Sequence, residues 1–98
     1  MINLSEKPSL EFRRRNESST YRYHPCDPIN GFPAWKRENA DLHVIQLEGF
    51  GWVCVDNQNQ IHAIPWGVPT TLMNERPPAG EWVSKKGDIS YVYDLVYL

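Results

Sequence analysis

Apolar and polar residues alternate along several short stretches of this chain, and that pattern predicts β-strands. These stretches include SLEFRRR (9–15), TYRYH (20–24) and, with apolar residues on both of its faces, ISYVYDLVYL (89–98). A period of two residues places the apolar side chains on one face of a strand and the polar side chains on the other. The polar segment NESS (16–19) joins the first two stretches, which predicts an antiparallel hairpin.

The centre of the chain shows a second hairpin pattern. The segments GWVCVD (51–56) and IHAIPW (61–66) flank the polar loop NQNQ (57–60), whose asparagines tolerate left-handed backbone angles. A register that pairs Asp56 with Ile61 predicts two distinct faces. Val53, Val55, His62 and Ile64 share one of these faces, and Trp52, Cys54, Ile61 and Ala63 share the other.

Two further strands are predicted at LHVIQLE (42–48) and EWVSK (81–85). The segment Lys86-Gly87-Asp88 joins the latter to the C-terminal stretch. That stretch carries apolar residues on both faces, which is typical of a strand in the centre of a sheet. We therefore expect the C-terminal strand to be needed for folding.

Prolines and glycines predict where regular strands stop. The segment PCDPINGFP (25–33) holds three prolines and an Asn-Gly pair, which predicts turns without regular structure. The segment PAWKREN (33–39) predicts one or two helical turns, with Pro33 at the first helical position. A further short helical turn is predicted at 71–76, inside an irregular crossing from 67 to 80.

These elements predict a mainly β fold. We expect a small single-domain antiparallel barrel or sandwich of about six to seven strands with one or two short helices. The alternative is an α+β domain with one helix on an antiparallel sheet. The domain is expected to span residues 1–98, with residues 1–8 as a loose N-terminal arm.

Charge and composition narrow the function classes. The net charge of −2 and the sequence pI near 5.9 give no bulk attraction to nucleic acid or to an anionic membrane. The apolar runs are too short to cross a bilayer, and no secretory signal pattern is present. Cys26 and Cys54 do not make a disulfide framework. We expect a cytoplasmic protein with reduced thiols and no membrane partner.

Metal binding is not expected, although the residue types for zinc are present. His24, Cys26, Cys54 and His62 lack the spacing of a zinc knuckle. The predicted register also places Cys54 and His62 on opposite faces of the hairpin. We therefore expect no metal and no other cofactor.

Catalysis is also not expected. Any of the histidines His24, His43 and His62 has the chemistry of a general base. The sequence contains no nucleophile motif and no phosphate-binding loop. The expectation is a non-enzymatic protein, and a small histidine-dependent enzyme such as a nuclease is kept as an alternative.

Aromatic residues make up 12% of the chain, and they suggest a surface for another protein. Trp35, Phe50, Trp66 and Trp82 lie beside turn residues or polar neighbours, and such rings often anchor interfaces. We expect an adaptor, or an inhibitor of the immunity or anti-defence kind that occludes its partner. The acidic second half predicts a partner with a basic surface. Its carboxylates include Glu48, Asp56, Glu75, Glu81, Asp88 and Asp94.

A single-stranded nucleic-acid binder is the other alternative. Residues 1–40 carry seven Lys or Arg and five Asp or Glu, a net charge of +2. Phosphates are neutralised by basic side chains and bases stack on aromatic rings. The candidate contacts are Arg13, Arg14, Arg15 and Tyr23.

Overall fold

The chain folds into a closed barrel of antiparallel strands. The computed structural model describes residues 8–15, 17–66 and 76–98, and within these ranges regular structure is entirely β. The eight strands neighbour one another in chain order, and the last pairs with the first. They are β1 (Leu10–Arg14), β2 (Thr20–Ile29), β3 (Phe32–Arg37), β4 (Leu42–Leu47), β5 (Gly51–Asp56), β6 (Ile61–Pro65), β7 (Gly80–Lys86) and β8 (Ile89–Tyr97).

Closure of the barrel depends on β1, which pairs with both β2 and β8. Phe12 lies opposite Tyr21 on one side and opposite Leu95 on the other. Closing the sheet removes the exposed edges that would otherwise pair with other chains. The predicted β1–β2 and β7–β8 hairpins are confirmed, and the C-terminal strand pairs on both sides.

The up-and-down order gives the barrel two different ends. The turns that follow β1, β3, β5 and β7 lie at one end, which we call the mouth. The connections that follow β2, β4 and β6 lie at the other end, which we call the closed end. None of the described residues belongs to a helix long and apolar enough to cross a membrane.

Tryptophan side chains pack the interior near the closed end. Trp35, Trp52 and Trp82 are fully buried, and the rings of Trp35 and Trp52 meet edge to face at 6.0 Å. Trp35 Nε1 donates a hydrogen bond to the Pro8 carbonyl at 2.8 Å, and Trp82 Nε1 donates to the Pro78 carbonyl at 2.9 Å. A buried indole needs such a partner because an unpaired N–H in the core is costly.

The outer face of the barrel carries a second apolar cluster. Ala34 and Ile45 belong to it, although their chain neighbours Trp35 and Val44 belong to the interior cluster. Strands β3, β4 and β5 are therefore buried on both faces. The full outer cluster consists of Ala34, Ile45, Val53 and Val55, packed with Cys26, Ile29 and Leu47.

The prediction that residues 25–33 form turns without regular structure is wrong. Strand β2 continues through the prolines to Ile29, and a register shift between Cys26 and Ile29 absorbs the irregular residues. The turn itself is only Asn30 and Gly31, with φ of 57° and 79°. Two consecutive positive φ angles suit the tight turn of a β-hairpin, and Asn-Gly is the preferred pair for it.

The predicted helix at 33–39 is strand β3 instead. Trp35 fills the interior while Ala34 packs on the outer face, so burial follows a period of two. The barrel therefore has eight strands rather than six or seven, and the described residues contain no helix. The helical turn predicted at 71–76 lies outside the described residues except at its last position.

The central hairpin is confirmed with one change of register. Cys54 lies opposite Ala63 as predicted, but a shift beyond Cys54 pairs Val55 with Ile61 rather than with His62. Asn59 in the turn has a φ of 62°, in agreement with the left-handed angle expected for asparagine. The shift takes His62 out of the regular alternation of faces that the sequence predicts.

Ion pairs tie neighbouring strands together on the outside. The Arg15 guanidinium lies 3.0 Å from Glu81 and 2.8 Å from Asp94, and so connects the turn after β1 to both β7 and β8. Its hydrogen bond holds the pKa of the Asp94 carboxyl below its usual range. Hydrogen bonds from Arg22 and Arg13, at 2.7 and 3.1 Å, likewise lower the pKa of the Glu11 carboxyl.

Because Trp35 is buried and Trp66 is exposed, we expect their replacement by alanine to lower the stability of the barrel by very different amounts. Trp35→Ala should lower the free energy of unfolding by about 3–5 kcal/mol, because it leaves a cavity inside the barrel. Trp66→Ala should cost about 1 kcal/mol or less, because that ring is 60% exposed. Urea denaturation of both variants measures the difference, and equal losses would contradict the packing described above.

Candidate ligand-binding site

The mouth half of the barrel interior contains a pocket of about 110 Å³. Each of the eight strands contributes at least one lining side chain, so the pocket lies on the barrel axis. The apolar part of its wall comes from Phe12, Leu42, Cys54 and Ala63. Tyr21, Tyr23 and Tyr93 add ring surface, and the ring of Phe12 meets those of Tyr23 and Tyr93 edge to face.

The floor of the pocket is uncharged at neutral pH. Tyr23 is buried, and its hydroxyl lies 3.3 Å from the Cys54 Sγ, close enough for a hydrogen bond. Burial raises the pKa of the Cys54 thiol to about 11. Burial and the neighbouring thiol also raise the pKa of the Tyr23 hydroxyl well above its ordinary value. A thiol that stays protonated is a poor nucleophile.

Two cations face the pocket near the mouth. The Arg37 guanidinium stacks 4.2 Å above the Tyr21 ring, and its Nε donates a hydrogen bond to Asn39 Oδ1 at 3.2 Å. Stacking uses the face of the guanidinium and leaves its remaining N–H groups in the plane to meet an acceptor. Lys86, at the end of β7, supplies the second cation.

No carboxylate is found among the described residues that line the pocket. Asp56 lies nearby, but its oxygens accept hydrogen bonds from His62 Nε2 at 3.0 Å and from the backbone N–H groups of Gln58 and Gln60. The hydrogen bond from His62 is the main reason that the pKa of Asp56 is lowered. The pocket is therefore locally positive in a chain whose net charge is −2.

The rim of the mouth repeats the stacked-cation arrangement. The Arg14 guanidinium lies 4.0 Å above the Tyr91 ring and 3.0 Å from a carboxylate oxygen of Glu17. Because Glu17 neutralises Arg14, the cations that remain for a ligand among the described pocket-lining residues are Arg37 and Lys86. Both belong to short strands anchored in the barrel wall.

The four aromatic residues predicted to anchor a partner separate into two groups. Trp35 and Trp82 are 0% exposed, so they are core residues rather than surface anchors. Phe50 and Trp66 are 55% and 60% exposed. Phe50 lies in the turn after β4 and Trp66 follows β6, so both lie at the closed end. Their role in partner binding stays a prediction.

The residues predicted to contact nucleic acid do not form one surface. Arg13 and Arg15 lie in ion pairs on the outside, while Arg14 stacks on Tyr91 at the rim. Tyr23 is 3% exposed and is not accessible for stacking on a base. The barrel wall thus separates the Tyr23 ring from Arg13 and Arg15.

The three histidines also lie apart. His24 and His43 flank Lys36 across β2, β3 and β4, whereas His62 lines the pocket. The change of register places His62 beside the same pocket as Cys54, which the sequence register had excluded. Within the part of the chain that the structure describes, no group of three potential metal ligands comes together.

The acidic residues of the second half are only partly available to a partner. Asp56 is bound to His62, and Glu81 and Asp94 are paired with Arg15. Glu48 and Asp88 are exposed in turns. Glu75 lies outside the described residues.

The sequence pattern does not predict that Arg37 and Lys86 line a pocket. It predicts a helix around Arg37 and a turn at Lys86, so neither side chain is expected on an inward face. The alternation itself held the signal, because Arg37 is two residues from the buried Trp35 and Lys86 is four from the buried Trp82.

Comparison with known proteins does not assign the chain to a family. No family model matches the chain, and neither the curated proteins nor the solved structures gave a significant match. The site is interpreted from its own geometry and charge.

The raised pKa of Cys54 predicts low reactivity toward alkylating reagents. At about pH 8 the thiolate fraction of a thiol with a pKa of about 11 is about a hundredfold below that of a thiol with the ordinary value of 9.0. Iodoacetamide labelling followed by peptide mass spectrometry should modify half-buried Cys26 first, and Cys54 only after unfolding in urea. Equal labelling of both thiols in the folded protein would contradict a closed pocket floor.

Proposed function

We propose that the barrel is a non-catalytic binding protein for a small anion that carries an apolar body. The anionic group would lie between Arg37 and Lys86 at the mouth. The apolar body would lie against Phe12, Tyr93 and Ala63 deeper in the pocket. The carrying observation is the positive lining of an axial pocket in an acidic protein.

Charge complementarity supports an anion over a neutral ligand. A guanidinium or ammonium group that meets a carboxylate or phosphate makes a hydrogen bond about twice as strong as one between neutral groups. The Tyr21 ring holds Arg37 in place before a ligand arrives, which lowers the entropy lost on binding. The carboxylate of Asp56 is already held by His62 and by the backbone, so it does not compete for the cations.

The size of the pocket supports a body of about one ring. Its volume of about 110 Å³ is somewhat below that of an engineered apolar cavity of about 150 Å³ that holds benzene. The rings of Phe12, Tyr23 and Tyr93 offer their faces and edges to such a group. An aryl carboxylate therefore has the chemistry that the pocket fits.

Binding rather than catalysis is supported by the state of the reactive groups. The Cys54 thiol is protonated at neutral pH, and its hydrogen-bonding partner is the Tyr23 hydroxyl. A nucleophile needs an adjacent base to activate it, and the group hydrogen-bonded to this thiol is a phenol hydroxyl rather than the imidazole of His62. The alternative of a histidine-dependent enzyme gains no support from this arrangement.

The test of the proposal is an NMR titration with three ligands of one shape and different charge. Benzoate should shift the side-chain signals of Arg37 and Lys86 in a saturable way, whereas benzamide and benzylamine should not. Binding of benzylamine as well as benzoate would contradict recognition of charge.

Variants of the two β7 lysines provide the matched control. Lys86 lines the pocket, while Lys85 lines the outer surface beside it. Lys86→Gln and Arg37→Gln should each weaken benzoate binding about tenfold, through loss of a charge-assisted contact. Lys85→Gln changes the net charge equally and should bind like the wild type. An equal effect of Lys85→Gln would indicate diffuse attraction and no specific site.

A second candidate function is binding of a protein at the closed end, with the barrel acting as an adaptor or occluding inhibitor. Three exposed aromatic rings favour it: Phe32, Phe50 and Trp66, with exposures of 42%, 55% and 60%. All three adjoin connections at that end, and Glu48 adds a negative charge beside Phe50. Large exposed rings of this kind are common at interface centres.

A pull-down at moderate salt with nuclease treatment tests this second candidate. A stoichiometric protein partner should be retained by Arg37→Gln and lost by the double variant Phe50→Ser/Trp66→Ser. Loss of the partner on nuclease treatment would favour the nucleic-acid alternative. Retention by the double variant would exclude the closed end as the contact surface.

A further inference from the structure

The seam between β6 and β7 is the part of the barrel wall with the shortest pairing toward the mouth. These strands pair at Ile64 with Val83 and at Pro65 with Trp82, both near the closed end. The described pairing goes no further, although β7 continues to Lys86 and remains paired there with β8. Pro65 has no backbone N–H to donate, so few hydrogen bonds hold this seam.

An apolar groove runs along the outside of the same seam. Its volume is about 320 Å³, and its apolar lining comes from Ile61, Ile64, Trp66 and Val83. Ile64 and Trp66 are 43% and 60% exposed. Exposed apolar residues that lie together mark binding surfaces more often than scattered ones do.

The groove and the axial pocket share two lining residues, His62 and Ala63. Both belong to the stretch of β6 that precedes its pairing with β7. The inner pocket and the outer groove therefore lie on two sides of one unpaired section of wall. A chain that leaves the pocket past Ala63 enters the groove directly.

The two compartments differ in chemistry in a way that fits one amphiphilic molecule. The inner pocket offers Arg37 and Lys86 to a negative group, while the groove is mainly aliphatic surface and an indole ring, with Lys85 at its edge. The inner pocket, at about 110 Å³, is too small to hold a long chain along with its head group. A longer apolar chain would have to leave the barrel.

We propose that the site also takes anions with a straight apolar chain, whose head group binds at the mouth and whose chain passes between β6 and β7 into the outer groove. This inference rests on the proposed function, because it places the head group at Arg37 and Lys86. The weak seam lets the wall open for the chain, since few hydrogen bonds must break. The chain then covers Ile64 and Trp66.

A chain-length series tests the inference. The probes are straight-chain carboxylates from butanoate to decanoate, each titrated by calorimetry below the concentration at which it forms micelles. Each methylene that enters the groove should tighten binding about three- to fourfold. The double variant Ile64→Thr/Trp66→Ser should bind butanoate like the wild type and lose most of this dependence on length.

Phe50→Ser is the matched control, because Phe50 is an equally exposed ring outside the groove. This variant should keep the full dependence on chain length. If benzoate and butanoate bind but affinity does not rise with length, the inference is wrong and the proposed function stands. If the double variant keeps the dependence, the chain takes another route and the inference is overturned. If no carboxylate binds, the proposed function itself is wrong.

Discussion

The interior of a closed eight-stranded barrel has to be filled, and the way this chain fills it determines the rest of the structure. Side chains from all strands reach the axis, and an unfilled interior would forfeit packing contacts. Trp35, Trp52 and Trp82 occupy the half near the closed end. The other half is lined by single aromatic rings such as Phe12 and Tyr93 and by small side chains such as Ala63 and Cys54. The axial pocket at the mouth follows from this uneven distribution of volume.

The polar groups of the mouth are arranged so that its positive charge is retained. Arg37 stacks on Tyr21, and the carboxylate of Asp56 is held by His62 and by the turn that follows β5. The floor beneath stays neutral because burial keeps the Cys54 thiol protonated. A locally positive and partly apolar pocket thus exists in an acidic chain. The net charge of a protein sets its long-range attraction and repulsion, whereas binding in a concave site depends on the few groups that face it.

The sequence pattern predicted the strands wherever alternation was uninterrupted, and it failed where local turn chemistry and tertiary packing disagreed. Prolines at 25–33 suggested irregular structure, but closure of the barrel requires β2 and β3 to pair there, with only Asn30-Gly31 as the turn. The helix at 33–39 was wrong because burial of Trp35 outweighs local propensity. Trp35 and Trp82, two of the four aromatic residues predicted to lie on the surface, belong to the core for the same reason. The place of His62 in the pocket was not predictable, because a register shift beyond Cys54 brings His62 to the pocket and no local signal marks such a shift.

A crystal structure of the protein with 4-bromobenzoate tests the central claim most directly, because the anomalous signal of bromine locates the ligand without ambiguity. The account predicts one bromine site inside the mouth half of the barrel, with the carboxylate between Arg37 and Lys86. It also predicts that β1 and β8 are paired around that site. Bromine found only on the outer surface, or a mouth filled by protein side chains at saturating ligand, would contradict the account.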